Sequence, residues 1–121
     1  MHALIIEAQA LISMLLEEEL RELGFTSFDT ATTQDAAITA AKRRCPDLIT
    51  ACVHLTDGSG DEAVRIICEQ QSIPTVYIVG NPDEIEAGSR DKIVVVKPFT
   101  REGVRTAVER ATQTKRASQT A

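Results

Sequence analysis

Short apolar runs that do not alternate with polar residues recur along this chain, each followed by an amphipathic or polar stretch. Ala3-Leu4-Ile5-Ile6, Leu48 to Val53, Thr75 to Val79 and Ile93 to Val96 are such runs, and Thr26 to Ala31 is a weaker one with Phe28 and threonines. A strand that is apolar at consecutive positions is covered on both faces, which is the habit of parallel sheets. The stretches between them read as helices. Ile12, Leu16, Leu20 and Leu23 fall at helical spacing among Glu17, Glu18, Arg21 and Glu22, and Gly24 supplies a stop. Thr32 or Thr33 opens a second helix with Ala36, Ala37, Ile38, Ala40 and Ala41 on its apolar face, and Pro46 ends it. Asp61 to Gln71 is a third, with Val64, Ile67 and Cys68 on one side; Arg101 to about Ala111 is the last, with Val104 and Val108. Between Asp83 and Asp91 only Ile85 is large and apolar and Gly88 interrupts, so the fourth helix is expected to be short or irregular.

Strand and helix thus alternate through the whole chain. That pattern predicts an α/β fold: a parallel sheet with helices on both faces. Right-handed crossovers leave few topologies, and the common five-stranded one has spatial order 2-1-3-4-5. Functional groups in such sheets gather at the C-terminal ends of the strands. Here those ends are Glu7-Ala8-Gln9, Cys52-Val53-His54, Val79-Gly80-Asn81 and Lys97-Pro98.

Composition narrows the function. The 121 residues are the size of one domain, expected over 1–111 with a disordered tail at 112–121. The net charge of −5 and the absence of a basic stripe argue against nucleic-acid binding, which rests on neutralising phosphates. Cys45, Cys52 and Cys68 form no CxxC, and neither His2 nor His54 has a second ligand at metal spacing, so neither a disulfide framework nor a metal site is expected. Gly58-Ser59-Gly60 lacks the Gly-Lys-Ser/Thr of a nucleotide loop. The N-terminus has no basic region before its apolar run, and no apolar stretch approaches the roughly 18 residues of a membrane span. A cytoplasmic protein without membrane contact is expected.

The segment Pro46-Asp47-Leu48-Ile49 leading to Leu55-Thr56-Asp57-Gly58-Ser59-Gly60, the segment Val96-Lys97-Pro98-Phe99-Thr100, and Leu4-Ile5-Ile6-Glu7 stand in order on the expected elements. In these residues, from Ala3 to about Ala111, the chain resembles the response-regulator receiver domains of two-component signalling, the CheY-like family. The resemblance implies a flavodoxin-like (βα)5 doubly wound sandwich, and a cis peptide is often found before the proline that follows the fifth-strand lysine. It also exposes departures. Cys52 stands at the place of the phosphorylated aspartate. Ala8 replaces the second acid after the first strand, which in receivers holds Mg²⁺. Val79 stands where a Thr or Ser follows the phosphoryl group, and Val94 where an aromatic switch sits. Glu7 and Lys97 remain.

Aspartyl phosphorylation needs a carboxylate nucleophile and a hard cation. Mg²⁺ prefers several oxygen ligands, with thiolate suited to softer metals. The resemblance therefore implies a degenerate phosphoacceptor pocket of Glu7, Ala8, Cys52, Val79 and Lys97, with Glu7 and Lys97 paired across it. It implies weak or absent Mg²⁺ binding and no other cofactor. No nucleophile–base pair marks an enzyme. The expected function is an atypical receiver in phosphorelay signalling, acting through protein contacts. Its partner would be a histidine kinase, an output domain or another regulator, with a homodimer also open. Val94, Lys97, Phe99 and the last helix would border the binding face. The alternatives are a thiol-based sensor at Cys52, or phosphorylation at an unusual residue.

Overall fold

The computed structural model describes residues 1–85 and 92–120. Five strands, β1 (His2–Ile6), β2 (Ser27–Ala31), β3 (Leu48–Ala51), β4 (Thr75–Val79) and β5 (Ile93–Val96), form one sheet in the order β2-β1-β3-β4-β5. Every neighbouring pair is parallel. The expected α/β architecture and strand order are those observed.

All five residues of β1 are buried because the strand is central and its two faces feed two separate cores. Ala3 and Ile5 point to one face, where they meet Leu16 and Leu20 of α1 (Ala10–Glu22) and Val104 and Val108 of α4 (Arg101–Thr120). Leu4 and Ile6 point to the other face, towards Ala37 and Ala40 of α2 (Gln34–Arg43) and Ala63 and Val64 of α3 (Gly60–Ile67). The period of two along a strand and burial on both sides together explain the unbroken apolar runs. The helices meet this face through the small residues Ala37, Ala40 and Ala63 together with Ile38, Val64 and Ile67.

Local signals set the helix starts. Thr33 caps α2 by accepting the Ala36 N–H at 3.1 Å, and Ser59 caps α3 by accepting the Glu62 N–H at 3.1 Å. Thr100 Oγ1 accepts the Gly103 N–H at 2.9 Å at the start of α4. Gly24, at φ +102°, closes α1 in a conformation only glycine adopts easily.

One segment departs from expectation. α4 runs to Thr120 instead of ending near Ala111, and so passes through the residues expected to form a disordered tail. No Gly or Pro interrupts residues 112–120, so nothing in the sequence stops the hydrogen-bond ladder. After β4 the chain makes a 3₁₀ turn, Pro82–Glu84, in which Asn81 Oδ1 accepts the Asp83 N–H at 3.0 Å. The rest of the expected short fourth helix falls on residues 86–91, outside the described residues. Among the described residues, no helix is long and apolar enough to cross a membrane.

Candidate functional site: a cleft at the C-terminal edge of the sheet

The register brings the C-terminal ends of β1 and β3 level with each other, and β4 and β5 run two residues further at the same edge. The residues just beyond them open an approximately 240 Å³ cleft lined by Glu7, Ala8, Gln9, Cys52, His54, Ile78, Gly80, Glu84 and Lys97. Backbone bonds continue the sheet one residue past the strands: Cys52 donates its N–H to Ile6 at 2.9 Å, and Lys97 to Val79 at 2.7 Å. Cys52 and Lys97 are therefore held by the sheet itself. The Lys97–Pro98 peptide is cis.

Glu7 is only 2% exposed. Its Oε2 accepts the Gln9 N–H at 3.0 Å. Its Oε1 lies 3.3 Å from Lys97 Nζ. That contact is ionic and lacks hydrogen-bond alignment, so Oε1 is buried with no hydrogen bond made to it. The expected Glu7–Lys97 pair is thus present and holds the cleft from two sides.

Cys52 forms the floor. Its thiol donates to the His54 carbonyl at 3.3 Å. Burial pushes the thiol pKa up; the Ala8 N–H opposes this, the Glu7 carboxylate adds to it, and the Lys97 ammonium opposes it. The balance is upward, which keeps Cys52 a neutral thiol and disfavours a reactive thiolate. Gly60 fixes the floor from below. A Cβ there would sit 1.6 Å from the Cys52 carbonyl oxygen, so only glycine lets α3 begin against the end of β3.

Not all predicted residues converge. Val79 does not line the cleft: it is 1% exposed and packs with Leu4 and Ile6 under α2 and α3, while its neighbours Ile78 and Gly80 reach the cleft. Lys97 was expected in the pocket and on the partner face; it faces the pocket. Val94 and Phe99 border a separate groove along β5 and α4, which also includes Val96, Gly103, Thr106 and Arg110. Asp47 and Asp57 are both remote from the floor. Asp47 accepts the His2 N–H at the opposite end of the sheet, and Asp57 bridges to Thr33 in the loop.

Glu84 and Gln34 had no clear sequence signal. Glu84 reaches the cleft from the 3₁₀ turn and not from a strand end. Gln34 ties the β3–α3 loop to α2, its N–H donating to Asp57 at 3.0 Å and its Oε1 accepting the Ser59 N–H at 3.0 Å. Gly58, at φ +82°, lies against the Gln34 side chain.

The chain is 36% identical to the receiver domain of Erythrobacter litoralis PhyR, with a TM-score of 0.83 over 91% of this chain and 88% of that one. It belongs to the response-regulator receiver family. The receiver is also 32% identical over 112 residues to the phyllosphere-induced regulator PhyR of Methylorubrum extorquens, covering 89% of this chain and 42% of that protein. A Bartonella quintana structure described as the anti-anti-sigma factor PhyR is 29% identical, with a TM-score of 0.86 over 98% of this chain and 50% of that one. No family model matches the receiver. It spans less than half the length of the Methylorubrum protein.

As a receiver, the cleft offers a hard cation a poor donor set. Mg²⁺ favours near-octahedral oxygen ligation. Glu7 supplies a carboxylate already facing an ammonium, Ala8 supplies no side-chain oxygen, Cys52 supplies a soft thiol, and the second carboxylate of the cleft, Glu84, comes from the 3₁₀ turn and not from the position beside Glu7. Among the described residues, no cluster of three or more His, Cys, Asp or Glu side chains is placed to hold a metal.

Proposed function

We propose that this receiver is not phosphorylated at the usual site, binds Mg²⁺ weakly or not at all, and signals by contact with another protein. The observation that carries this reading is the floor of the cleft: a buried neutral thiol at Cys52, beneath a carboxylate and an ammonium that already face each other. A thiol there cannot form an acyl phosphate. The Glu7–Lys97 pair occupies the electrostatic role that a cation and a phosphoryl group take in an active receiver, and holds one conformation without them. No catalytic role is assigned to the chain.

The partner is a signalling protein: a kinase, an output domain or another regulator. A relative described as an anti-anti-sigma factor supports a protein partner of this kind. The groove bordered by Val94 and Phe99 is the first candidate surface. A second has its own observation, because Leu11 and Met14 of α1 are 67% and 65% exposed beside Leu15. Three apolar side chains one helical turn apart on solvent form a patch that folding alone does not explain.

The test is a titration with beryllofluoride or acetyl phosphate in the presence of Mg²⁺, read by backbone amide shifts. We expect no saturable change at Glu7, Cys52 or Lys97. Saturable shifts centred on those residues would show a pocket that still reads phosphoryl groups and would overturn the proposal. Capture of the cognate kinase or regulator, compared between Phe99→Ala and Met14→Lys, then identifies the surface used.

A further inference from the structure

A cavity of approximately 160 Å³ opens between the C-terminal ends of α2 and α3. Two of its lining residues, Cys45 and Ile73, stand just before β3 and β4, so it lies at the N-terminal edge of the sheet, away from the cleft. Its walls are Ile38, Ala41, Ile66, Ile67 and Ile73. Ile73 is buried and the other four are only half-buried, although Ile38, Ala41 and Ile67 pack against the core of this layer.

Protein interiors pack to the density of organic crystals, and an open space deprives its lining of dispersion contacts. Ala41 is the smallest wall residue, and a larger aliphatic side chain at that position of α2 would occupy the space. A dry apolar cavity of about 150 Å³ takes a benzene molecule, so these walls suit a ring-sized hydrocarbon body. The rim has a different character. Lys42 carries the one charge among the lining residues. Its neighbour Arg43 faces Asp29, whereas Lys42 has no ion pair with a described residue. Gln71 Oε1 accepts the Cys45 thiol at 3.4 Å, which leaves the amide N–H groups of Gln71 as donors. The rim thus offers an ammonium and amide donors, and no carboxylate competes for them there.

We propose that this cavity binds a small carboxylic acid with a ring-sized apolar body, the ring held among the isoleucines and the carboxylate at the rim against Lys42. Fit and misfit point to the same class. A cationic ligand would meet Lys42 with no counter-charge on the lining. A wholly polar anion would leave the apolar walls in contact with water, which is the unfavourable arrangement that ligand burial relieves. A long acyl chain exceeds the space. The site shares no lining residue with the cleft, so it stands independently of the reading that the cleft is silent. A bound acid would touch α2 and α3 at once and tie their last turns together.

The experiment is a titration of the intact chain, isotope-labelled at its isoleucine methyl groups, with benzoate and with the neutral analogue benzamide. We expect saturable shifts from benzoate at Ile38, Ile66, Ile67 and Ile73, and none at Ile78, which borders the cleft. Benzamide should bind about threefold more weakly, the difference an exposed ion pair makes. Lys42→Gln should weaken benzoate by the same factor and leave benzamide unchanged. Ala41→Leu, which fills the space, should abolish both titrations while the Ile78 methyl keeps its shift. If that variant does not fold, the reaction of Cys45 with a disulfide reagent serves in its place, because benzoate at the rim should slow it. The absence of saturable shifts, shifts that survive in folded Ala41→Leu, a Cys45 rate that benzoate leaves unchanged, or benzamide binding as tightly as benzoate overturns the proposal. Shifts at Glu7 or Lys97 on adding beryllofluoride would overturn only the reading of the cleft.

Discussion

The two ends of the sheet treat buried polar groups in opposite ways. At the N-terminal end, His2 is 4% exposed and fully engaged: its backbone N–H donates to Asp47 Oδ2 at 2.7 Å, Nδ1 lies 2.8 Å from Ser27 Oγ, and Nε2 lies 3.0 Å from Asp29 Oδ2. Asp47 returns a backbone bond to the His2 carbonyl at 2.7 Å. At the C-terminal end, Glu7 is equally buried, yet one oxygen makes only a loose ionic contact and receives no hydrogen bond. The first arrangement ties β1, β2 and β3 together and leaves no capacity over. The second leaves a carboxylate and an ammonium in contact, with the open space of the cleft beside them. Spare hydrogen-bonding capacity next to a cleft marks the end where binding chemistry belongs, or once belonged.

The sharpest way to break this comparison is to remove one partner at each end. Lys97→Met leaves the Glu7 carboxylate buried without its counter-charge, and we expect a loss of about 3 kcal/mol by urea unfolding. Glu7→Gln should cost less, because Lys97 is 22% exposed at its side chain and can turn to water, whereas Glu7 cannot. The double variant should recover much of the Lys97→Met loss, since no charge is then stranded. If Lys97→Met is neutral, the pair does not hold the cleft and the proposed locked conformation has no basis.

A smaller effect is expected at the closed end. His2→Ala removes the bonds to Ser27 and Asp29, but Asp29 keeps Arg43 and some solvent access, so the expected loss is about 1–2 kcal/mol. Amide exchange at β1 and β2 should accelerate while the cleft residues keep their shifts. A loss as large as that of Lys97→Met would show that both ends are equally structural and remove the contrast.

The sequence made one end of this molecule far more legible than the other. Unalternated runs reported the central strands because both faces of β1, β3 and β4 are covered. Strand ends then placed Glu7, Cys52 and Lys97 beside one another on a single cleft, since a residue following a parallel strand has little freedom in where it lies. Val79 misled because a shift of one residue in the pleat sends a side chain to the opposite face, and the pattern of the run does not say which of Ile78 and Val79 faces the cleft. Glu84 and Gln34 were missed because a 3₁₀ turn and a side-chain-to-loop bond bring them in, and neither leaves a periodic mark. His2 was read only as a poor metal ligand. Its cluster depends on β2 and α2 arriving from elsewhere in the chain, which spacing alone does not encode.

The smallest expected effect concerns Cys52 and bears on whether the floor is inert. Burial raises its thiol pKa in the folded state above the ordinary 9.0. A raised folded pKa contributes stability that is fully present below pH 9 and is lost as pH climbs through the folded value, because the unfolded chain ionises first. Tyr77, pushed up to about 12 by burial, acts in the same direction from its ordinary 10.0. These two groups should therefore lower stability in alkali, and Cys52→Ala should shallow the onset of that fall, leaving the Tyr77 part in place. Below pH 9 the same neutral thiol should react with a disulfide probe more slowly than exposed Cys45. A Cys52 that reacts faster than Cys45 at neutral pH, together with an onset unchanged by Cys52→Ala, would mean that the thiol is ionised in the fold. The cleft would then be an active thiol site and no longer the quiet counterpart of the His2 end.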